Sequence, residues 1–195
     1  MIPAETQTKL IQSAMMSGAS DAVMIAATDI CIDPDLAEHC RTPGCENYGL
    51  SKSCPPYIPG PKAFKRQLKD FHQAVFLKID LPSEILYSHQ RIEAFQLLHE
   101  IASKIEQDAV QMGFSKARAY AGGSCKKIFC NEYDCCPVVS ENGSCRNPLT
   151  ARPSMSGFGI DVAKLFASAG WVLEKASRTS ASSSMASICA LVLID

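Results

Sequence analysis

Nine of the ten cysteines lie in two short stretches of the chain, and so high a local density of thiols indicates a binding site. Thiolates grouped in this way hold zinc, hold an iron–sulfur cluster or form disulfides. The first stretch begins at Cys31 and contains Cys40, Cys45 and Cys54. The second contains the remaining five of the nine: Cys125, Cys130, Cys135, Cys136 and Cys145.

Composition argues against a disulfide scaffold. Such scaffolds are short secreted chains with more than about 8% cysteine, whereas this chain has 195 residues and ten cysteines. The N-terminal sequence MIPAETQTKL does not read as a secretory signal, because Glu5 interrupts the apolar core that a signal requires. We therefore expect a cytoplasmic protein with reduced thiols, which a metal or a cluster would occupy.

The spacing of the cysteines favours an iron–sulfur cluster over zinc. Structural zinc sites commonly use tight Cys-x2–4-Cys pairs, and no Cys-x2-Cys pair occurs here. The spacings are Cys31-x8-Cys40-x4-Cys45-x8-Cys54 and Cys125-x4-Cys130-x4-Cys135-Cys136-x8-Cys145. Intervals of four remain compatible with zinc, but intervals of eight suit a chain that wraps around a larger group.

Prolines after the cysteines point the same way. Pro55 follows Cys54 and Pro137 follows Cys136, as in bacterial ferredoxins, where the Cys-Pro cysteine ligates the other of two clusters. We therefore predict two [4Fe–4S] clusters. The first would be held mainly by Cys31, Cys40, Cys45 and Cys54. The second would be held by Cys125, Cys130, Cys145 and either Cys135 or Cys136. Cys54 is the candidate for ligand exchange, in which a cysteine of one loop ligates the cluster of the other loop.

The elements that must position these cysteines alternate between helix and strand. Helices are predicted over 4–17, from Pro61, over 89–112 and around Phe158 to Gly170, where Ser154 or Ser156 would be the N-cap. Strands are predicted over 21–30, 73–81, 116–121 and 188–195, and a loop over the serine-rich segment 177–187.

This alternation predicts an α/β fold with a single, mostly parallel sheet, flanking helices and two cysteine-rich loops at 31–60 and 122–153. The whole chain would form one metal-binding domain. If strands 22–30 and 117–121 run parallel, both loops leave the sheet at the same edge, which is where sites gather in such folds. The alternative is a ferredoxin-like α+β fold with antiparallel pairs.

Two segments resemble the signatures of a prokaryotic family of predicted metal-binding proteins. The first runs from Cys45-Glu46-Asn47-Tyr48-Gly49 to Cys54-Pro55-Pro56, and the second is CRNPLTARPSMSGFGIDV, residues 145–162. The resemblance spans roughly residues 31–194 and does not supply a reaction. It implies metal binding in bacteria and archaea, frequently anaerobes, through Cys40, Cys45, Cys54, Cys125, Cys145 and either Cys135 or Cys136.

Other residues are weaker candidates for a role in the site. Arg146 and Arg152 are candidate donors to an anion, Tyr48 is a candidate shield for a cluster, and His39 is the only histidine beside the clustered thiols. Cys189, inside the last strand, is expected to be a small core residue.

The favoured interpretation is an iron–sulfur protein that transfers electrons to a redox protein partner or assists an anaerobic redox enzyme. A zinc-stabilised binding module is one alternative. An enzyme with an open iron site is another, and it would arise if Cys40, Cys45 and Cys54 act without Cys31. The net charge of −1 and the lack of a basic run argue against nucleic acid, and no apolar stretch approaches the about 20 residues of a membrane helix.

Overall fold

The computed structural model describes residues 2–173 and 184–195, which form one four-stranded sheet between two layers of helices and loops. The strand order is β1-β2-β4-β3, and every neighbouring pair is antiparallel. The strands are β1 Asp21–Ala26, β2 Gln73–Pro82, β3 Arg118–Ala121 and β4 Met185–Ile194. The prediction of a mixed α/β chain is confirmed, but the prediction of a mostly parallel sheet is wrong.

The parallel prediction failed because neither the alternation of helix and strand along the chain nor the apolar runs of the strands fix strand direction. The central strands β2 and β4 are buried over most of their length, with helices or loops on both faces. Such runs are typical of parallel strands, yet an antiparallel strand that is covered on both sides needs the same residues. The antiparallel pairing matches the direction expected in the α+β alternative.

The helices in the described part of the chain range from one to six turns. The longest, α4, spans 21 residues and lies close to the predicted range of 89–112. No helix in this part of the chain combines the length and apolar character needed to cross a membrane. The bounds are α1 Ala4–Met16, α2 Pro34–Glu38, α3 Gly60–Gln67, α4 Arg91–Gln111, α5 Cys125–Phe129, α6 Pro137–Ser140 and α7 Val162–Ser168.

Two hydrophobic cores lie on opposite faces of the sheet. Helices α1 and α4 cover one face, where Leu10 and Ile105 pack with strand residues such as Leu77. Helices α3 and α7 cover the other face through Phe64 and Phe166. The cysteine loops are therefore attached to a scaffold that is packed on both sides.

The last predicted helix begins later than the sequence indicated. Asp161 is its N-cap, and the carboxylate accepts a hydrogen bond of 3.0 Å from the backbone N–H of Lys164. Phe158 lies in a separate turn that ends at Gly159, whose φ of 69° suits glycine. Neither Ser154 nor Ser156 is the cap.

The predicted serine-rich loop falls largely outside the described residues. Residues 177–183 belong to the segment that is not described, and β4 already begins at Met185, three residues before the predicted start.

The two cysteine loops meet at the end of β3, although not for the predicted reason. Strands β1 and β3 lie at opposite edges of the sheet and run in opposite directions. Ser154 forms a bridge with Ala121 at the end of β3. Its backbone N–H donates to the carbonyl of Ser53 at 2.9 Å, which ties the first loop to the exit of the second.

Helix α4 fixes the second loop at both ends through His99. The ring Nε2–H donates to the carbonyl of Gly122 at 3.1 Å, and the ring Nδ1 accepts from the backbone N–H of Arg152 at 3.1 Å. These two bonds define the neutral tautomer. Burial lowers the pKa of His99 to about 4, so the ring is a fixed polar connector and not a titrating group near neutral pH.

Candidate metal centre

The first cysteine group consists of Cys40, Cys45 and Cys54, which line one cavity of about 110 Å³. Cys40 opens a short turn after α2, and the N–H of Cys45 closes that turn by donating to the carbonyl of Cys40 at 2.9 Å. Cys54 is only 5% exposed. The rest of the cavity wall comes from both loops and from the segment that follows the second: Asn47, Tyr48, Pro55, Gly123, Ser124, Ser154 and Ser156.

Electrostatics within the first group oppose free thiolates. Burial raises the pKa of Cys40, and the nearby Cys45 and Cys54 raise it further. Three thiolates at these positions would repel one another unless a cation lay between them. A positively charged group between them would stabilise the deprotonated sulfurs.

The second cysteine group consists of Cys125, Cys130, Cys136 and Cys145, which line a neighbouring cavity. Cys125 begins α5, and Cys136 is the N-cap of α6, whose first residue is Pro137. Burial raises the pKa of Cys125 to about 11, against the opposing effect of hydrogen bonds from Ser53 and Ser51. These four thiols equal in number the ligands of a fully cysteine-ligated [4Fe–4S] cluster.

Asn147 supplies hydrogen bonds to two sulfurs of the second group. The backbone N–H lies 3.4 Å from the Sγ of Cys145, and the side-chain Nδ2 lies 3.4 Å from the Sγ of Cys130. Donors of this kind to ligand sulfurs are a main control on cluster potentials.

Lys126 places a buried positive charge behind the second group. The side chain is 8% exposed, and Nζ donates to the carbonyls of Cys130 at 2.9 Å and Tyr133 at 2.6 Å. These bonds hold the turn between Cys130 and Cys136, and the ammonium favours negative charge nearby.

Of the two adjacent cysteines, Cys136 lines the cavity and Cys135 faces outward. Cys135 is exposed, and its sulfur accepts a hydrogen bond of 3.3 Å from Ser140. Arg146 donates to the carbonyl of Cys135 at 3.0 Å and stacks 4.0 Å from the ring centre of Tyr133. Position therefore places Cys136, and not Cys135, among the thiols that line this cavity.

The two groups are joined by four residues that we call the Ser–Cys junction: Ser53, Cys54, Ser124 and Cys125. The hydroxyl of Ser53 lies 2.9 Å from the Sγ of Cys125, and the thiol of Cys54 donates to the Oγ of Ser124 at 3.4 Å. Each serine precedes a cysteine of one group and contacts a cysteine of the other. The groups are therefore immediate neighbours, and Cys54, the candidate for ligand exchange, lies in the first.

Cys31 is not among the described residues that line either cavity. Its carbonyl accepts from the N–H of Asp161 at 3.0 Å, which places its backbone beside the start of α7. His39 lines a wider cavity of about 450 Å³ that also borders Cys40 and Cys45. Cys189 is buried in β4 and packs in the core on the α3 and α7 side.

Both arginines that were candidate anion donors are engaged by groups of the protein itself. Arg152 is buried and pairs with Glu106 at 2.5 Å, while Arg146 stacks on Tyr133. All ten cysteines are free thiols. Within residues 2–173 and 184–195, no group of three or more His, Cys, Asp or Glu side chains is close enough to hold a single metal ion.

Sequence reasoning missed the polar residues around the sulfurs. The available signal was the serine that directly precedes a cysteine in both loops, at Ser53 and Ser124. Asn47 and Asn147 lie two residues after Cys45 and Cys145, so a local pattern existed there too. Nothing in the sequence showed that these residues would meet across the two loops.

Together, the α/β fold and the two cysteine-lined cavities define a cysteine-rich protein whose clustered thiols form two neighbouring groups. A family model described as predicted metal-binding protein (DUF2284) matches residues 23–194, and the chain belongs to that family. This confirms the resemblance drawn from the two motifs. Comparison with curated proteins and with solved structures finds no significant match.

Proposed function

We propose that this chain is a cytoplasmic iron–sulfur protein that holds two [4Fe–4S] clusters and transfers electrons. It would serve either a redox protein partner or an anaerobic redox enzyme to which it is an accessory. One cluster would be held by Cys40, Cys45 and Cys54, and the other would be held by the four cysteines of the second group: Cys125, Cys130, Cys136 and Cys145.

The observation that carries this proposal is the Ser–Cys junction. The Oγ of Ser53 contacts the Sγ of Cys125 at 2.9 Å, and Ser53 directly precedes Cys54 in the chain. Only this one residue therefore lies between a proposed ligand of the first cluster and a proposed ligand of the second. Two unrelated structural sites would not require such proximity. Neighbouring redox centres do require it, since electron transfer depends on a short distance between them.

The chain's own groups would set how readily the site takes an electron. A [4Fe–4S] cluster, when bound, accepts and releases single electrons. Asn147 and Ser53 donate to, or contact, ligand sulfurs, and Lys126 adds a buried positive charge. All of these stabilise added negative charge and raise the potential. The burial of Cys54 has the opposite effect, because it limits solvation.

Spectroscopy of anaerobically purified protein tests the proposal. The protein should be brown, with broad absorption near ~400 nm, and electron paramagnetic resonance of the fully reduced protein should show splitting from two interacting clusters. A Cys125→Ala variant should keep one cluster and lose the splitting. A colourless protein with stoichiometric zinc would contradict the proposal and support a zinc-stabilised module.

A further inference from the structure

The first cysteine group leaves one part of its cavity wall without a thiol. Cys40 and Cys45 border the side that opens toward His39, and Cys54 lies at the buried junction with the second group. The rest of the wall has no thiol and is formed by Asn47, Tyr48, Pro55, Gly123, Ser124, Ser154 and Ser156. If a [4Fe–4S] cluster binds here, as the proposed function requires, its three cysteines leave one iron without a thiolate.

One part of this wall separates the first group from a second, more open cavity of about 310 Å³. Asn47, Gly123 and Ser124 line both cavities. This volume is at the lower end of the range for small-molecule sites. The outer cavity has an apolar side formed by Leu86, Ile92, Phe95 and Ile128.

The charged residues of the outer cavity favour an anion. Arg91 and Lys127 line it together with a single acid, Glu46. Arg91 approaches Glu46 at 3.4 Å, a distance typical of a weak, exposed pair. The backbone N–H of Lys127 donates to the carbonyl of Ser124, but its side chain has no hydrogen bond or ion pair with any described residue, so its ammonium is available to a carboxylate.

Asn47 provides an independent sign of a missing partner. Its Nδ2 is 3.7 Å from the Sγ of Cys45, which orients the amide, while its Oδ1 is buried and has no hydrogen-bond partner among the described residues. Buried acceptors are nearly always paired. The Oδ1 therefore lacks a donor, a role that a hydroxyl or an amine can fill.

We propose that the position without a cysteine faces this wall and binds a small carboxylate that also bears a hydroxyl or an amino group. The carboxylate would pair with Lys127 and Arg91, and the hydroxyl or amine would donate to the Oδ1 of Asn47. This inference rests on the proposed function and deepens it, because it gives the first group a ligand as well as a cluster. Cys31 has no part in the site.

The first test asks whether the first cluster has an exposed iron. Ferricyanide oxidation of the holoprotein should release one iron from that cluster and produce a [3Fe–4S] resonance signal, whereas a cluster with four cysteines resists this loss. The Cys31→Ala variant should be purified with the same iron content as the wild type and should give the same [3Fe–4S] signal after oxidation. Two clusters that both resist oxidation, or loss of a cluster in Cys31→Ala, would overturn the inference and leave the proposed function intact.

The second test uses lactate and propionate, which differ by one hydroxyl. Lactate should shift the resonance spectrum of the reduced holoprotein in a saturable way, and propionate should bind about tenfold more weakly or worse. The substitutions Lys127→Gln and Asn47→Ala should each weaken the binding of lactate by a similar factor. The substitution Lys69→Gln, at an exposed lysine, should leave the binding of lactate unchanged. No effect of lactate, or equal binding by all variants, would overturn the inference. A protein without clusters would instead refute the proposed function.

Discussion

The hydroxyl of Ser53 in the first cysteine loop lies 2.9 Å from the sulfur of Cys125 in the second. This contact links the two proposed cluster sites, because a hydroxyl of the first loop meets a sulfur of the second. The hydrogen bonding of Cys125 therefore depends on the position of the first loop. It depends on the bridge that Ser154 forms at the end of β3, since the N–H of Ser154 holds the carbonyl of Ser53 at 2.9 Å.

Replacement of Ser53 by alanine should lower the reduction potential of the cluster held by the second group. A hydrogen bond to a ligand sulfur stabilises the reduced, more negative form. Its loss should shift the potential by on the order of tens of millivolts, measured by a resonance-monitored redox titration. Ser115→Ala, at an exposed serine after α4, is the matched control. Equal potentials in the wild type and both variants would argue against a ligand role for Cys125.

The neighbouring cysteines Cys135 and Cys136 should respond very differently to substitution. Cys136→Ala removes a thiol that lines the second cavity, so iron should fall from about eight to about four atoms per chain. Cys135→Ala removes an exposed thiol and should leave the iron content unchanged. The reverse pattern in a colorimetric iron assay would show that the chain rearranges around the cluster.

Acid should weaken the fold through His99. Its pKa is about 4 in the folded protein against 6.5 as a free side chain. The unfolded chain therefore binds a proton that the folded one does not, and stability falls as the pH drops from 6.5 to 4. The loss should reach about 3 kcal/mol.

The variant His99→Gln isolates this contribution. Glutamine is neutral and retains one donor and one acceptor, so its free energy of unfolding in urea should depend less on pH across this range. If the wild type and the variant show the same pH dependence, His99 does not titrate as its burial implies.

Loss of the buried Arg152 should destabilise the protein strongly. Its guanidinium pairs with Glu106 at 2.5 Å, and the carboxylate also accepts from the N–H of Ala119 in β3 at 2.8 Å. Arg152→Met leaves a buried charge unpaired, at a cost of about 3–5 kcal/mol. Adding Glu106→Gln should recover much of this loss, as urea unfolding would show. A double variant no more stable than the single one would mean that packing of Arg152 matters more than charge.

The sequence carried enough information for most of the secondary-structure elements. The periodic apolar residues of α4 and the apolar run of β2 predicted both elements closely. Strand direction was not predictable, because burial on both faces requires the same apolar residues in parallel and antiparallel strands. The position of Asp161 as an N-cap was missed because Ser154 and Ser156 offered equally good caps nearby.

The grouping of the cysteines depended on contacts that spacing does not encode. Cys31 and Cys40 are separated by the same interval as Cys45 and Cys54, yet only the latter pair lines the same cavity. The backbone of Cys31 lies beside Asp161, a contact between residues far apart in the chain. Likewise, the pairing of Lys126 with two carbonyls, which holds the turn that leads to Cys136, was visible only in three dimensions.

The most direct test of the central claim is the content of iron and acid-labile sulfide in protein purified without oxygen. Two [4Fe–4S] clusters predict about eight iron atoms and about eight sulfides per chain, with negligible zinc. One or two zinc ions per chain, with neither iron nor sulfide in protein kept strictly anaerobic, would contradict the account.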